Sequence, residues 1–551
     1  MGQPIKRVTI VGGGTAGWLT ALVLNTNLNR HVNQGRRVSI TVIESPKVPT
    51  IGVGESTIQN LKYTLESVGI DEAEFIRRSN ASFKLAVQFI DWSRTDGRTP
   101  VQWYNPQNPP PSCGGFLPAY HYRKFGPHWV GASYGESVMP NASVIAAGKG
   151  PRPIGGANYT WDINYSYHVD AGLFAEFMRD FAVARGVEHI RDDVVDIAHD
   201  ESGAIAALQL ERSGNYPVEF VIDCTGFKAL IWSRMGAEPF MALGDRLLND
   251  RAIPLQVPHR DPTKIEPCTR ATGLGAGWAW RVPLYNRVGT GYVYSSAFRS
   301  DEQAWAEFVS HLRASGDLPE DAPEPEPRVI KMRIGYTRQP WIKNCVAIGL
   351  SSGFVEPLEA TAIYAIDAAA HRLVMNFPDK QCDPNLAKAY NACSTGLIEE
   401  IVDYLQISYL TSNRAEPYWV AVRETPPSEW LREKMELWRQ RLPDLDDTYS
   451  NRLFSLFQYV YVLVSSDCLA KARFPLDDAI RLEDWRAFGR DLKGQVNRHL
   501  ATLPSHYELL TQIRNSENAP AKLSRILDAA VGRGGVQHPT ASPWRSSPPR
   551  N

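Results

Sequence analysis

The short apolar run from Arg7 to Val11 leads directly into Gly12-Gly13-Gly14-Thr15-Ala16-Gly17, and an apolar helical stretch from Trp18 to Leu28 follows. A Gly-x-Gly-x-x-Gly pattern is informative when it sits between a strand and a helix, which is where this one stands. Gly12 permits the tight turn, Gly14 lets the backbone approach a pyrophosphate, and Gly17 permits close packing of the helix on the strand. Thr15 and Ala16 open the helix, whose N-terminus presents a favourable dipole to phosphate. A second strand, Val38 to Ile43, ends at Glu44, which is placed to hydrogen-bond ribose hydroxyls. These features point to an α/β fold around a dinucleotide-binding unit. They do not choose between FAD and NAD, and a turn without a ligand is the alternative reading.

Further strand-like segments are Phe83 to Ile90, Phe220 to Ile222 and Cys345 to Ile348, with helices expected at Ala171 to Arg185 and Ala360 to Met375. Alternation of the two element types implies an α/β sheet core. Phe220 to Gly226 is an apolar strand ending in a small-residue turn; FAD oxidoreductases place such a turn beside the cofactor, and a plain strand end is the other reading. The proline-rich stretch Trp103 to Pro127 reads as a lid or pocket wall. From about residue 395 helical periodicity takes over. Leu431, Met435, Trp438 and Leu442 fall on one helix face, and the aromatic run Phe454 to Leu463 must be buried. The expected organisation is a sheet domain over 1–395 with a substrate loop near 103–127, a helical substrate-side subdomain over 396–528, and a disordered tail over 529–551 rich in Gly, Ser, Pro and Arg.

Composition excludes several classes of function. The 551 residues carry 59 Lys+Arg against 60 Asp+Glu, a formal charge of −1, which argues against a nucleic-acid partner, since phosphate neutralisation needs a basic surface. No apolar run approaches the roughly 18 residues of a membrane span, and the N-terminus lacks the pattern of a signal peptide. The seven cysteines are scattered with no Cys-x-x-Cys pair, so neither a metal site nor a disulfide framework is indicated, and the chain reads as cytoplasmic. The 15 Trp and 22 Tyr are in excess of an ordinary enzyme, and composition alone does not say whether they fill cores or line a pocket.

Two segments carry candidate chemistry. In Phe83-Lys84-Leu85-Ala86-Val87-Gln88-Phe89 the large apolar residues alternate, so Lys84 shares the other face with Ala86 and Gln88. Either Lys84 is a solvated lysine on a half-exposed strand, or it faces an enclosed cavity, where its ammonium is a strong donor and its amine a nucleophile when desolvated. Phe354-Val355-Glu356-Pro357-Leu358-Glu359-Ala360-Thr361-Ala362 precedes a helix. The amides of Thr361 and Ala362 would point from a positive helix end, a seat for a small anion with Glu359 beside it. The alternative is that Glu356 and Glu359 are ordinary first-turn acids complementing the dipole.

Taken together, these segments resemble the flavin-dependent halogenases, in their tryptophan-halogenase branch. The matches are Gly12 to Trp18; Gly52-Val53-Gly54-Glu55-Ser56-Thr57 with Lys84 downstream; Gly277-Trp278-Ala279-Trp280-Arg281-Val282-Pro283; Gly291-Tyr292-Val293-Tyr294-Ser295; and Glu356-Pro357-Leu358-Glu359. The Trp-x-Trp-x-Ile-Pro element, carried by Trp278, Trp280 and Pro283, is the most specific, with Val282 replacing Ile; by physical reading alone the two tryptophans would be core. The resemblance implies an FAD-binding Rossmann-like sheet domain with a mainly helical C-terminal subdomain. It implies that a separate flavin reductase supplies reduced FAD, and that with oxygen a chloride or bromide ion becomes hypohalous acid, which travels through a tunnel to a small aromatic substrate. Lys84 matches the lysine that hydrogen-bonds hypohalous acid or becomes a haloamine, and Glu359 the glutamate that assists delivery or accepts the arenium proton. Thr361 and Ala362 match the halide-binding backbone, Gly52, Val53, Gly54 and Ser56 the strap over the flavin, and Leu350 the cofactor side of the second flavin strand. A homodimer is compatible with this reading.

This sequence departs from the family pattern where substrate is expected. The family commonly reads Pro-Leu-Glu-Ser-Thr-Gly, whereas Ala360 and Ala362 stand here. The His and Phe that sandwich the indole in tryptophan-specific members align with Asn105 and Gln107, and the paired tyrosines of the helical subdomain with Val460 and Tyr461. The expected substrate is therefore an indole-like arene more than free tryptophan, with a phenol as a variant; Glu359 speaks against a carrier-tethered substrate. A flavin aromatic hydroxylase is the second reading, although Ile348-Gly349-Leu350-Ser351-Ser352 lacks the Gly-Asp pair such enzymes carry. A flavoprotein that only binds a partner is the third.

Overall fold

Arg7–Val11 has every residue after the first buried, so its backbone groups must be paired on both sides. In the computed structural model it lies inside a six-stranded sheet ordered Trp341–Ile342, Cys345–Ala347, Phe220–Asp223, Arg7–Val11, Ser39–Glu44 and Glu188–Arg191. The structure describes residues 2–30, 38–48, 54–95, 99–106, 117–126, 133–236, 240–449, 453–466, 468–469 and 472–516, with backbone only at 95 and 99–106. All pairings are parallel except the edge pair Trp341–Ile342 with Cys345–Ala347. Ile10 stands opposite Ile222 on one side and Val42 on the other. Helices Thr15–Leu28, Ala171–Val183 and Ala362–Met375 supply apolar residues to the core around this sheet. The α/β, Rossmann-like expectation holds.

A second sheet of seven strands runs Ile330–Lys331, Arg251–Val257, Val288–Tyr294, Gly277–Pro283, Cys268–Leu274, Ala86–Thr95 and Thr99–Pro106. A third, antiparallel sheet of three strands places Ser166–Asp170 between Gly54–Ser56 and Ser82–Lys84. The expected single strand Phe83 to Ile90 is thus two strands in two sheets. The break falls at Leu85, whose N–H leaves both ladders to bond the Pro267 carbonyl at 2.8 Å.

The C-terminal region is mainly helical, with Pro384–Leu410, Glu429–Leu437, Leu456–Ser465, Leu482–Thr502 and His506–Asn515 among its helices. Residue 395 lies inside the 27-residue helix Pro384–Leu410, and the described residues up to Arg514 pack as one compact unit. The Leu431 to Leu442 pattern is not one helix face, because the helix ends at Leu437. Trp438 and Leu442 are nevertheless buried, held by turns in which Arg441 and Trp438 bond Asp447. The stretch Trp103 to Pro127 is not one long loop either: it begins in the strand Thr99–Pro106 and holds the helix Leu117–Phe125, while 107–116 lie outside the described residues, as does the tail 529–551. Among the described residues no helix is long and apolar enough to cross a membrane, and no group of His, Cys, Asp and Glu is arranged to hold a metal.

Candidate active site

The three-stranded sheet determines where Lys84 points. In its register Ser56 and Ser82 both face His168, and Lys84 faces Ser166. Directly opposed residues share a sheet face, so Ser56, Ser82, Lys84, Ser166 and His168 line one side, while Phe83 and Tyr167 turn to the other and pack on Phe75 and Tyr165. Lys84 is completely buried, which overturns the reading of a solvated lysine. Its Nζ donates to the Thr57 carbonyl at 2.9 Å, and Ser166 Oγ donates to the same oxygen at 2.9 Å. Burial pushes the ammonium down to about 8, against the raising effect of the nearby Glu359 carboxylate.

Glu359 belongs to the tight turn Leu358–Ala360, in which Glu359 and Ala360 take φ values of 64° and 59°. Two successive non-glycine residues in the left-handed region are strained. Glu356 and Glu359 are both buried and precede the helix Ala362–Met375, whose first turn holds no acid, so neither is a first-turn acid of that helix. Glu356 accepts a short hydrogen bond from the Tyr409 hydroxyl and one of 2.9 Å from Asn249 Nδ2. The Trp278 indole N–H approaches the same carboxyl outside strict hydrogen-bond geometry. Burial raises Glu356 to about 7, and its donors oppose that rise. The 14-residue helix Ala362–Met375 then begins with Thr361 as N-cap and no side-chain cap, leaving its first-turn amides at the positive end of the dipole.

At the nucleotide side Gly12 has φ of 118°, and a β-carbon there would collide with the Cys224 carbonyl; one at Gly17 would collide with the Gly12 carbonyl. At Gly14 nothing lies within 4 Å of the corresponding position. Two glycines are thus demanded by protein packing, while the middle one faces open space, which is the arrangement a phosphate group needs. Thr15 and Ala16 start the helix Thr15–Leu28. Gly349 of the turn Gly349–Ser351, which includes Leu350, would bring a β-carbon to 2.9 Å from the Ala16 methyl, so this turn packs on the start of that helix. Glu44 closes the strand Ser39–Glu44 with Oε2 2.8 Å from His189 Nε2. These residues fit the dinucleotide that the motif implies.

Gly54, of the segment expected to cover the flavin, packs against Gly289, whose β-carbon position would fall 2.8 Å from Gly54 Cα; Gly52 and Val53 lie outside the described residues. Ser56 Oγ is 2.9 Å from Thr269 Oγ1. Trp278 and Trp280 are on the strand Gly277–Pro283, rings 6.4 Å apart; Trp278 is core, and Trp280 is half-buried with its ring over Gly291. Asn105 pairs with Val87 in the backbone ladder, and its side chain lies outside the described residues. Tyr461 is buried on Leu456–Ser465, its ring 5.1 Å from Tyr134 and 5.6 Å from Phe457. The sequence model of the tryptophan halogenases matches residues 7–481.

The chain belongs to the tryptophan halogenase family.

Over 545 residues, 93% of its length and 99% of the relative's, it is 34% identical to the tryptophan 7-halogenase RebH of Lentzea aerocolonigenes. It is 35% identical to the 7-chloro-L-tryptophan 6-halogenase KtzR of a Kutzneria strain, covering 92% and 99%. The crystal structure of a tryptophan halogenase from Shewanella frigidimarina superposes with a TM-score of 0.84 at 33% identity over 93% of this chain and 98% of that one. BrvH, a flavin-dependent halogenase from a Brevundimonas species, gives 0.80 at 30% over 92% and 99%. The chain is therefore an enzyme of a flavin-dependent halogenase family.

Several residues around this family's motifs escaped the sequence reading: His168, Thr269 and Ser166 beside the strap and lysine, and Asn249 and Tyr409 around Glu356. One signal existed. Ser166-Tyr167-His168-Val169-Asp170 alternates polar and apolar residues as a strand with a polar face does, yet nothing local showed that the polar face is enclosed.

Proposed function

We propose that this halogenase acts on a free, electron-rich arene of indole type, using FAD supplied in reduced form by a separate reductase, oxygen, and chloride or bromide. The observation that carries the proposal is Lys84: a lysine fully enclosed in the sheet, its Nζ held by the Thr57 carbonyl and its charge favoured by the field of the Glu359 carboxylate. Bound FAD would supply, with oxygen, the oxidising equivalent that converts halide to hypohalous acid. Gly12, Gly14 and Gly17 would give the backbone access to its phosphates, Glu44 would take a ribose hydroxyl, and Gly54, Ser56 and Leu350 would border it. The Thr361 and Ala362 amides would hold the halide at the helix N-terminus.

In this scheme the Lys84 ammonium donates a hydrogen bond to the oxygen of hypohalous acid, making the halogen more electrophilic. The arene carbon bonds the halogen, the halogen–oxygen bond breaks, and the departing oxygen leaves as water with the lysine's proton. Glu359 stabilises the cationic ring and takes the proton from the halogenated carbon. Ala360, Ala362 and Val460, which depart from the pattern of tryptophan-specific members, favour a simpler indole over free tryptophan, and Tyr461 would remain to contact it. The test is incubation of the full chain with a flavin reductase, NADH, FAD, oxygen and bromide or chloride over a panel of indole, tryptophan and phenols, read by mass spectrometry. Haloindole is the expected product; no halogenated product across the panel refutes the proposal.

A further inference from the structure

The steps above leave unused a buried imidazole, His168, on the same sheet face as Lys84. Its Nδ1 is 3.2 Å from the Pro283 carbonyl and 3.0 Å from Ser82 Oγ, and Ser82 Oγ donates to that same carbonyl at 2.5 Å. A carbonyl only accepts, and the single hydroxyl proton of Ser82 is already committed to it. An unprotonated Nδ1 would set lone pair against lone pair, so Nδ1 carries the hydrogen. Burial, with the Lys84 charge adding to it, pushes the imidazole well below its ordinary range and keeps the ring neutral. Nε2 is then an acceptor, and its partner is Thr269 Oγ1 at 2.9 Å. Thr269 spends its proton on His168 and can only accept from Ser56 Oγ, 2.9 Å away.

The chain of bonds therefore has one direction, running from Ser56 through Thr269 and His168 to the carbonyl of the Trp-x-Trp-x-Val-Pro motif. We propose that His168 is a positioning residue that sets this direction, so that the strap residue Ser56 turns only oxygen lone pairs toward the flavin and serves there as an acceptor for an N–H or O–H donor of the cofactor. The inference rests on reading Gly52 to Thr57 as the cover of the flavin. It gives Pro283 a role beyond packing: its carbonyl is the terminal acceptor that orients the whole chain.

Two measurements on the full-length protein test it. In the first, ¹⁵N-histidine NMR reads the tautomer, with the His168 signal identified as the one displaced in Thr269→Val. A neutral ring with hydrogen on Nδ1, unchanged between about pH 6 and 9, is expected; hydrogen on Nε2, or an imidazolium, overturns the proposal. In the second, the quenching of flavin fluorescence measures binding of oxidised FAD, with melting curves to verify folding. Thr269→Val frees the Ser56 proton to turn outward, and Ser56→Ala removes the acceptor, so each weakens FAD binding by about tenfold, the loss of one hydrogen bond. Thr269→Ser restores the chain and stays within about twofold of wild type. Equal weakening in Thr269→Ser and Thr269→Val, no weakening in Ser56→Ala, or a wild-type chain that binds no FAD overturns the assignment. Neither readout involves halide or arene, so a failure to halogenate would refute the proposed function while leaving this inference standing.

Discussion

Burying a lysine ammonium costs hydration that a single carbonyl does not restore. The depression of Lys84 from 10.5 to about 8 corresponds to roughly 3 kcal/mol. Because the folded-state value lies below that of the unfolded chain, the unfolded state holds a proton between pH 8 and 10.5 that the folded state lacks. This group therefore makes the fold more stable as pH rises through that window and withholds that stability below pH 8. Lys84→Met keeps the apolar stem, and the Thr57 carbonyl retains its bond from Ser166. At pH 7.5 the variant is expected to melt about 1–3 °C higher than wild type by calorimetry while losing halogenation by about a thousandfold or more; a lower melting temperature would show that the ammonium contributes net stability. The same burial sets a pH profile. With the ammonium as the donor, the single-turnover rate of arene halogenation falls as pH rises through about 8, whereas a rate that climbs there assigns the chemistry to the free amine. None of this was legible in the alternation from Phe83 to Phe89, which has the form of a strand with one wet face. The covering residues Thr57 and Ser166 are remote in sequence, so the segment alone left the solvated and enclosed readings of Lys84 both open, and only the family resemblance favoured the enclosed one.

The turn from Glu356 to Thr361 is an element whose shape works against its own residues. Pro357 in the sequence marked its position, but the left-handed pair Glu359 and Ala360 could not be foreseen, because neither is a glycine or an asparagine. What opposes the strain is the anchor one residue before Pro357: Glu356 bound to Tyr409 and Asn249 across the fold. Ala360→Gly removes the β-carbon penalty at one of the two positions and is expected to stabilise the protein by about 0.5–1 kcal/mol in urea titrations. The same change loosens the backbone that carries Glu359, so the halogenation rate should drop several-fold; a stabilised variant with undiminished rate would separate the strain from the chemistry. Tyr409→Phe acts on the anchor itself. It leaves a buried carboxyl oxygen without its donor, at an expected cost of about 1–3 kcal/mol, and an unchanged urea midpoint would show that Glu356 does not depend on Tyr409. The misread Leu431 to Leu442 face has a related cause: burial continued past the helix end through the Asp447 turns, and apolar spacing reports burial, not helix length.

At the scale of the whole molecule, the parallel sheet and nucleotide turn were legible because their information is local, whereas the enclosure of the lysine depends on parts of the chain hundreds of residues apart. His506, at the start of the helix His506–Asn515, lies beyond the stretch 7–481 matched by the family's sequence model, yet it reaches the strand that carries Lys84. Its Nε2 accepts from the Phe83 N–H at 3.0 Å and its Nδ1 bonds the Ile265 carbonyl at 3.0 Å. One neutral imidazole thus ties the helix His506–Asn515 to the residue before the lysine and to the segment leading into Cys268–Leu274. The two bonds need one nitrogen protonated and the other bare, and burial pushes the ring down to about 4. Between pH 6.5 and 4 the unfolded chain takes up a proton that the folded one refuses, so stability present above pH 6.5 is lost as pH falls through that window, by roughly 3 kcal/mol for a shift of this size. His506→Leu cannot take up that proton. It should be less stable than wild type at pH 7.5, because the Phe83 N–H and the Ile265 carbonyl lose their partner, yet its urea midpoint should fall less steeply on acidification. Parallel decline of the two proteins would mean that this imidazole is not neutral in the fold. A steeper decline in wild type would show that the neutral imidazole of His506, which bonds the strand beneath the candidate active site, carries the acid sensitivity of the fold.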